Sequence, residues 1–220
     1  MKEINVIKRD GTKEPFDANK INTAILKACD GLPDQISKVV QVATELQLTL
    51  FDGITTEQLD EAVIQTVLQN VKDDPDYDKI AARLLLKTIY KQILGDYETA
   101  AELKKLHARE FPKFIKAAVK DGLLDKRMAD GRFDLKKLAA ELDPARDDLS
   151  KYLGVVTNKN RYALRRQNGS PIETPQFTHM RIAMGLSYNE ADPTAAAIEF
   201  YNHMSNLEYV PGGSTRVNAG

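Results

Sequence analysis

The sequence predicts a mainly α-helical protein of the α+β class, in which a short β-hairpin precedes a series of amphipathic helices. Near the start, Ile4 and Val6 alternate with polar residues ahead of the turn dipeptide Asp10-Gly11, which is typical of a hairpin. From Asp17 onwards, apolar residues recur every three to four positions in segments separated by Gly and Pro, which indicates helices.

The composition is that of an ordinary globular protein, with 42% hydrophobic and 29% charged residues. The 31 basic and 32 acidic residues give a formal net charge of -1, which argues against a protein that coats nucleic acid. No apolar run approaches the ~18 residues that a membrane span requires, and the polar N-terminus does not resemble a signal peptide. We therefore expect a cytoplasmic protein without a membrane or nucleic-acid partner.

Residues 1-95 predict one compact unit, made of the hairpin and four helices. Phe16 closes the return strand, and Asp17 is the expected N-cap of the first helix, which ends near Gly31. The second helix is predicted from Asp34 to about Leu48, and its inward residues are expected to be Ile36, Val39, Val40, Ala43 and Leu46.

The third and fourth helices carry clear boundary signals. Thr55 followed by Gln58 has the spacing of a capping box, so the third helix is predicted to begin there. Its expected core residues are Leu59, Val63, Val67 and Leu68. After a break at Pro75, the fourth helix is predicted to begin at Asp76 and to end at Gly95.

Residues 96-220 predict a second, mostly helical region. Helices are expected over 101-119, over 135-142, from Thr174 through Met184, and over 193-207. The segment from Tyr152 to Arg166, with the turn dipeptide Asn168-Gly169 after it, predicts a pair of strands. Residues 210-220 predict an extended, turn-rich end.

The basic hairpin is the strongest local signal for chemistry. It brings Lys8, Arg9, Lys13 and Lys20 close to a tight Gly turn and to the start of a helix. Helix N-termini bind phosphate through free amide hydrogens and the positive end of the helix dipole. From the residues alone, a solvated basic hairpin without a ligand is the simpler interpretation, and both interpretations stay open at this point.

Other motifs argue against common catalytic sites. The chain has neither a P-loop motif nor a dinucleotide-binding glycine motif. His107, His179 and His203 lack metal-ligand spacing, and the single cysteine, Cys29, excludes a cysteine-rich metal site and predicts a small core residue. The acidic pairs Asp73-Asp74 and Asp147-Asp148 predict helix caps and solvated charge.

Two stretches of residues 1-95 resemble the ATP-cone family. One runs from Val6-Ile7-Lys8-Arg9-Asp10-Gly11 through Phe16-Asp17 and Lys20-Ile21 to Ala24 and Ala28, and the other is Pro75-Asp76-Tyr77 with Ala81-Ala82-Arg83-Leu84. The resemblance implies a small sheet over a four-helix bundle that binds ATP or dATP. It implies phosphate contacts from Lys8, Arg9 and Lys91, adenine contacts from Val6 and Ile21, and ribose or phosphate contacts from Glu14, Lys20 and Thr56. Asp17 occupies a position at which the family often has Asn.

The C-terminal third resembles the large subunit of ribonucleotide reductase. The residues concerned are Ile172-Glu173-Thr174-Pro175-Gln176, Arg181 to Leu186, Phe200 to Ser205, and Pro211 to Gly220. This resemblance implies a helical N-terminal region, residues 96-220, that leads into the first elements of the reductase α/β barrel. It also implies that Thr215 contacts substrate, although a hydroxyl that completes a local turn explains Thr215 equally well.

Together the resemblances imply the regulatory N-terminal portion of a reductase that makes deoxyribonucleotides for DNA synthesis. ATP and dATP would act as allosteric effectors with Mg²⁺, and dATP would change homo-oligomeric assembly. The chain is expected to stop before the catalytic cysteines, as a truncated or split subunit that is inactive without its C-terminal part. The radical cofactor, adenosylcobalamin or a metal-radical small subunit, would lie outside it.

Two alternatives compete with the reductase interpretation. The first is a stand-alone nucleotide-sensing regulator, which in bacteria carries a four-cysteine zinc ribbon before its ATP-cone, whereas none precedes Met1. The second is a helical interaction module without a ligand, which requires the hairpin motif to be accidental. The reductase class stays open, as does the number of nucleotides bound.

Overall fold

A computed structural model describes residues 4-220, which form two compact units that divide between Thr88 and Ile89. The strands of the first unit are β1 (Asn5–Ile7), β2 (Lys13–Pro15) and β3 (Ile54–Thr55), and its helices are α1 (Ala18–Ala28), α2 (Gln35–Leu46) and α3 (Thr56–Gln69). Helix α4 (Asp76–Leu94) begins in the first unit and ends in the second. The later helices are α5 (Ala100–Lys120), α6 (Leu135–Glu141), α7 (Tyr152–Thr157), α8 (Pro175–Leu186), α9 (Pro193–Ser205) and α10 (Gly213–Asn218).

The sheet has the strand order β2-β1-β3, with β1 antiparallel to β2 and parallel to β3. The hairpin pairs Val6 with Glu14, and its turn includes Gly11 at a φ of 84°, a left-handed conformation that glycine adopts without strain. Strand β3 is not predictable from the sequence, because two residues are too few to show an alternating pattern.

The predicted starts of α1 and α3 are confirmed by their caps. The Asp17 carboxylate accepts a hydrogen bond from the amide of Asn19 at 2.9 Å, and Thr55 and Gln58 form a complete capping box at the start of α3. The fully buried core includes Ile25, Val42 and Val67, and Cys29 is buried as expected.

The predicted inward face of α2 is partly wrong. Ile36 and Val40 are 68% and 59% exposed, whereas Lys38, Val42 and Leu46 are buried. In the observed inward face, the buried Lys38 ammonium pairs with the carboxylates of Asp74 at 2.9 Å and of Asp76 at 3.4 Å. Apolar spacing alone did not reveal a lysine that is paired inside the fold.

In the second unit, α5 and α8 provide the apolar centre. The rings of Phe111 and Phe114 pack against Phe177, and the Phe114 and Phe177 rings are stacked with their centroids 5.2 Å apart. Thr174 caps α8 as the sequence predicts, because its hydroxyl accepts a hydrogen bond from the amide of Phe177 at 3.3 Å. Helix α9 packs extensively on α8.

The predicted strand pair after residue 152 is wrong. Tyr152–Thr157 is helix α7, and residues 158-162 continue it as one turn of π-helix. Only the turn prediction holds, since Arg165 and Pro171 form an isolated antiparallel bridge around Asn168-Gly169. The segment packs on α8, where the Thr178 hydroxyl donates to the buried Asn158 side chain at 3.4 Å, and tertiary context of this kind can override the strand propensity of β-branched and aromatic residues.

The prediction of an extended end over 210-220 is also wrong in part, because Gly213–Asn218 form the short helix α10. The carbonyls of Ala219 and Arg216, at the end of this segment, accept hydrogen bonds from the Arg181 guanidinium at 2.6 and 3.4 Å. None of the helices within residues 4-220 is long and apolar enough to cross a membrane.

Candidate functional site

The β1–β2 turn holds the basic cluster in a defined conformation. The amide of Lys8 donates to the carbonyl of Thr12 at 2.8 Å, and the amide of Gly11 donates to the carbonyl of Lys8 at 2.9 Å. The Asp10 carboxylate accepts from both the amide and the hydroxyl of Thr12, which lowers the pKa of Asp10. Asp10 therefore stabilises the turn. The side chains of Lys8, Arg9 and Lys13 are exposed around it.

Glu14 brings two of these basic groups together. Its carboxylate lies 2.6 Å from the Lys8 ammonium and 3.6 Å from that of Lys20 at the start of α1. The hydrogen bond between Lys8 and Glu14 raises the pKa of Lys8 and lowers that of Glu14. Cations from the hairpin and from the helix thus converge on one anionic group.

Strand β1 and helix α1 carry the apolar residues of the candidate site. Val6 and Ile21, predicted to flank a base, are both half-buried, and Val6 is also paired with Ile54 of β3. Asp17 caps α1, so its carboxylate is occupied by the amide of Asn19.

Thr56 reaches the same strand from the start of α3. Its hydroxyl donates to the carbonyl of Ile7 at 3.2 Å, and the adjoining strand β3 is paired with β1. Asp52 fixes this arrangement by accepting from the Asn5 amide at 2.9 Å, and the left-handed Gly53 donates to the carbonyl of Asn5. The structure thus brings Val6, Lys8, Glu14, Lys20 and Thr56 onto or beside strand β1.

Two of the predicted site residues belong to the second unit. Lys91 lies on α4, where its ammonium is 2.9 Å from the Asp96 carboxylate. Thr215 lies on α10 and is half-buried.

Arg181 organises the surroundings of Thr215. Its guanidinium and the Glu173 carboxylate are both fully buried and form an ion pair at 2.7 Å. The remaining guanidinium hydrogens are donated to the carbonyls of Tyr162 and Ala219. Gly185 permits this close packing, because a Cβ there would lie 2.7 Å from the Gly220 nitrogen. Arg181 begins the stretch Arg181 to Leu186 that resembles the reductase, but this resemblance does not predict that its side chain is buried.

Asp147 is a second buried carboxyl group, contrary to the prediction of solvated charge. It accepts hydrogen bonds from the Tyr90 hydroxyl and, at 2.6 Å, from the Gln176 amide. The Gln176 carbonyl accepts in turn from the Tyr201 hydroxyl. Burial raises the pKa of Asp147 to about 7, because the loss of hydration disfavours the charged carboxylate. These partners are distant from Asp147 in the chain, so a local sequence pattern does not predict that they meet.

Two family models match separate stretches of the chain. Residues 4–92 match the ATP cone domain, and residues 148–220 match the all-alpha domain of ribonucleotide reductase. The chain is 32% identical over 218 residues to the ribonucleoside-diphosphate reductase subunit alpha of Chlamydia trachomatis, covering 99% of this chain and 20% of that protein.

Further relatives carry the same kind of name. Identity is 33% over 217 residues with the subunit alpha of Helicobacter pylori, covering 98% of this chain and 26% of that protein. With the ribonucleoside-diphosphate reductase large subunit of Arabidopsis thaliana it is 28% over 220 residues, covering 98% and 25%. The chain therefore spans about a fifth to a quarter of the length of these relatives.

Proposed function

We propose that this chain, which carries an ATP cone domain followed by the all-alpha domain of ribonucleotide reductase and corresponds to the N-terminal part of reductase large subunits, senses ATP and dATP for that enzyme. The nucleotide would bind at the β1–β2 hairpin and the start of α1. It would regulate the reduction of ribonucleotides, a reaction carried out by parts of the enzyme beyond this chain.

The convergence of Lys8 and Lys20 on the Glu14 carboxylate is the observation that supports this proposal most directly. Two cations that already meet at one anionic group need little reorganisation to meet at a phosphate group. Charge-assisted hydrogen bonds from such donors are roughly twice as strong as neutral ones. The half-buried Val6 and Ile21 would provide apolar contacts for the base.

The effectors would act as an allosteric switch. ATP would favour activity and dATP would suppress it by changing the oligomeric assembly, which requires the two nucleotides to favour different global states. Mg²⁺ would arrive with the triphosphate, whose oxygens suit this ion. Within residues 4–220 no group of three or more His, Cys, Asp or Glu side chains forms a metal-ligand set of its own.

The remaining roles concern the second unit and the rest of the enzyme. Thr215 would contact substrate, and Lys91 would assist in phosphate binding. The partners would be the C-terminal part of the large subunit and, in a metal-radical enzyme, a radical-generating small subunit. Adenosylcobalamin is the alternative source of the radical.

Calorimetric titration of the purified chain with ATP and with dATP, together with its oligomeric mass, tests the proposal. Lys8→Ala and Arg9→Ala should each weaken binding by about tenfold or more, because each removes a charge-assisted contact. Lys27→Ala, which removes the same charge from the last turn of α1, is the matched control and should bind normally.

The outcomes separate the parts of the proposal. Binding of both nucleotides, with a change of mass for dATP alone, would support an activity switch. Binding without any change of mass would support nucleotide sensing and contradict regulation through assembly. Failure of the wild-type chain to bind either nucleotide would overturn the proposal.

A further inference from the structure

Glu14 of strand β2 is an acidic residue among the cations of the hairpin. It is paired with Val6 of β1, and it is half-buried, whereas its neighbours Lys13 and Pro15 are exposed. Successive side chains alternate between the two faces of a strand, and paired residues share a face, so Glu14 and Val6 lie on the same face of the sheet. A carboxylate is thus part of the surface on which the nucleotide is proposed to bind.

The two carboxylate oxygens of Glu14 face different ammonium groups. Oε1 is 2.6 Å from Nζ of Lys8, one residue after β1, and Oε2 is 3.6 Å from Nζ of Lys20, in the first turn of α1. The hydrogen bond from Lys8 is the main cause of the lowered pKa of Glu14, and the charges of Lys8 and Lys20 act in the same direction. Glu14 is therefore a charged group that is held between two cations.

A phosphate group and the Glu14 carboxylate require the same two ammonium groups. If both anions stayed beside them, the two negative charges would lie close together and repel each other. The side chains of Glu14 and Lys8 are 41% and 45% exposed, so the carboxylate can turn into solvent. Exposed ion pairs each contribute up to about fivefold to an equilibrium constant, so a phosphate can displace Glu14 at a modest cost in affinity.

We propose that Glu14 is an internal competitor of the phosphate groups: its carboxylate holds the ammonium groups of Lys8 and Lys20, and a nucleotide must displace it from both. This inference rests on the proposed function, because it concerns the regulation of the same site. The apparent affinity is the intrinsic affinity reduced by the fraction of molecules in which Glu14 has left the lysines. Glu14 thereby raises the nucleotide concentration at which the chain responds.

Calorimetric titration of wild type and of Glu14→Gln with ATP, tripolyphosphate and adenosine, all at one ionic strength, tests the inference. Gln has nearly the same shape as Glu but no charge, so Glu14→Gln should bind ATP and tripolyphosphate about three- to tenfold more tightly than wild type. The affinity for adenosine, which has no phosphate, should not change. The amide oxygen of Gln can still accept a hydrogen bond from a ribose hydroxyl.

Two further variants separate displacement from a general change of charge. Glu57→Gln removes the same charge from an exposed carboxylate in the first turn of α3, next to Thr56, and should change the affinity for ATP by less than about twofold. In a Lys8→Met background Glu14 has lost its closest cation, so adding Glu14→Gln should tighten ATP binding by only about twofold or less.

The outcomes distinguish this inference from the proposed function. A gain that is confined to phosphate ligands and depends on Lys8 would support the inference. ATP binding with equal affinity in wild type and Glu14→Gln would overturn the inference without affecting the proposed function. An equal gain in Glu57→Gln, or an equal gain with and without Lys8, would overturn it as well, because Glu14 would then only repel the nucleotide. Failure of every variant to bind ATP and tripolyphosphate would overturn the proposed function, and this inference with it.

Discussion

Asp147 makes the stability of the second unit depend on pH. Burial raises the pKa of its carboxyl to about 7, whereas an Asp in an unfolded chain titrates near ~3.9. Between these two values the folded chain keeps a proton that the unfolded chain has released. The contribution of Asp147 to the free energy of unfolding therefore falls as the pH rises from about 4 to about 7.

Asp147→Asn should remove this dependence and raise stability at pH 8 by on the order of 1–4 kcal/mol relative to wild type. The amide can still accept from Gln176 and donate to the Tyr90 oxygen, so the hydrogen-bonded network is kept. Urea denaturation of both chains at several pH values measures the difference. An equal difference at pH 4 and at pH 8 would contradict the assigned titration.

The free energy of unfolding of wild type must be subtracted from that of the variant at each pH. Two buried histidines make stability rise with pH, which is opposite to the effect of Asp147. Burial lowers the pKa values of His107 and His179 to about 4, so their contributions are lost as the pH falls below ~6.5. Both slopes are common to the variant and wild type and cancel. Glu141→Gln, which removes one charge from an exposed carboxyl, is the matched control.

The buried ion pair of Arg181 and Glu173 should be costly to break from one side. Arg181→Met leaves the Glu173 carboxylate buried without its cation and should lower the free energy of unfolding by about 3–5 kcal/mol. Replacing both residues with Met should cost less than this single change. Urea denaturation provides the values, and Arg109→Met, in an exposed pair, should change stability by only about 0–1 kcal/mol.

At the scale of single elements, helix α2 offers a direct test of its orientation. Leu46 is 2% exposed and Ile36 is 68% exposed, although both are apolar residues of the same helix. Leu46→Ala should lower the free energy of unfolding by about 2–5 kcal/mol, and Ile36→Ala should change it by less than about 0.5 kcal/mol. Denaturation of the two variants decides between the observed face and the face predicted from spacing, in which both residues point inward.

The helices differ in how well their own sequences predict them. Helices α1, α3 and α8 begin at residues whose side chains cap them, and such caps are local features that a sequence displays. Helix α7 and its π-helical continuation carry residues typical of strands, and were predicted as strands for that reason. Their helical conformation depends on buried contacts with α8, which are not local.

At the scale of the whole molecule, the division into two units predicts where a nucleotide should act. If the hairpin binds ATP, a concentration of 100 times Kd should stabilise the first unit by about 2.7 kcal/mol. Hydrogen exchange should then slow for amides of β1, β2 and α1, while amides of α6 and α9 should exchange at their former rates. Slowing confined to the second unit would contradict a site at the hairpin.

The amino-acid sequence by itself determined the mainly helical class, the hairpin, the capped helix starts and the basic cluster around the turn. These features depend on neighbours within a few positions of the chain, so residue type and spacing suffice to predict them. The family resemblance of the chain likewise came from contiguous motifs, and the domain comparisons agree with it.

Only the tertiary structure decided which polar groups are buried. Lys38, Asp147 and Arg181 have the residue types expected at a surface, and each is buried because partners from distant segments compensate for the loss of water. Whether a polar side chain is buried and paired depends on residues that are distant in the chain, so a local sequence pattern does not predict it.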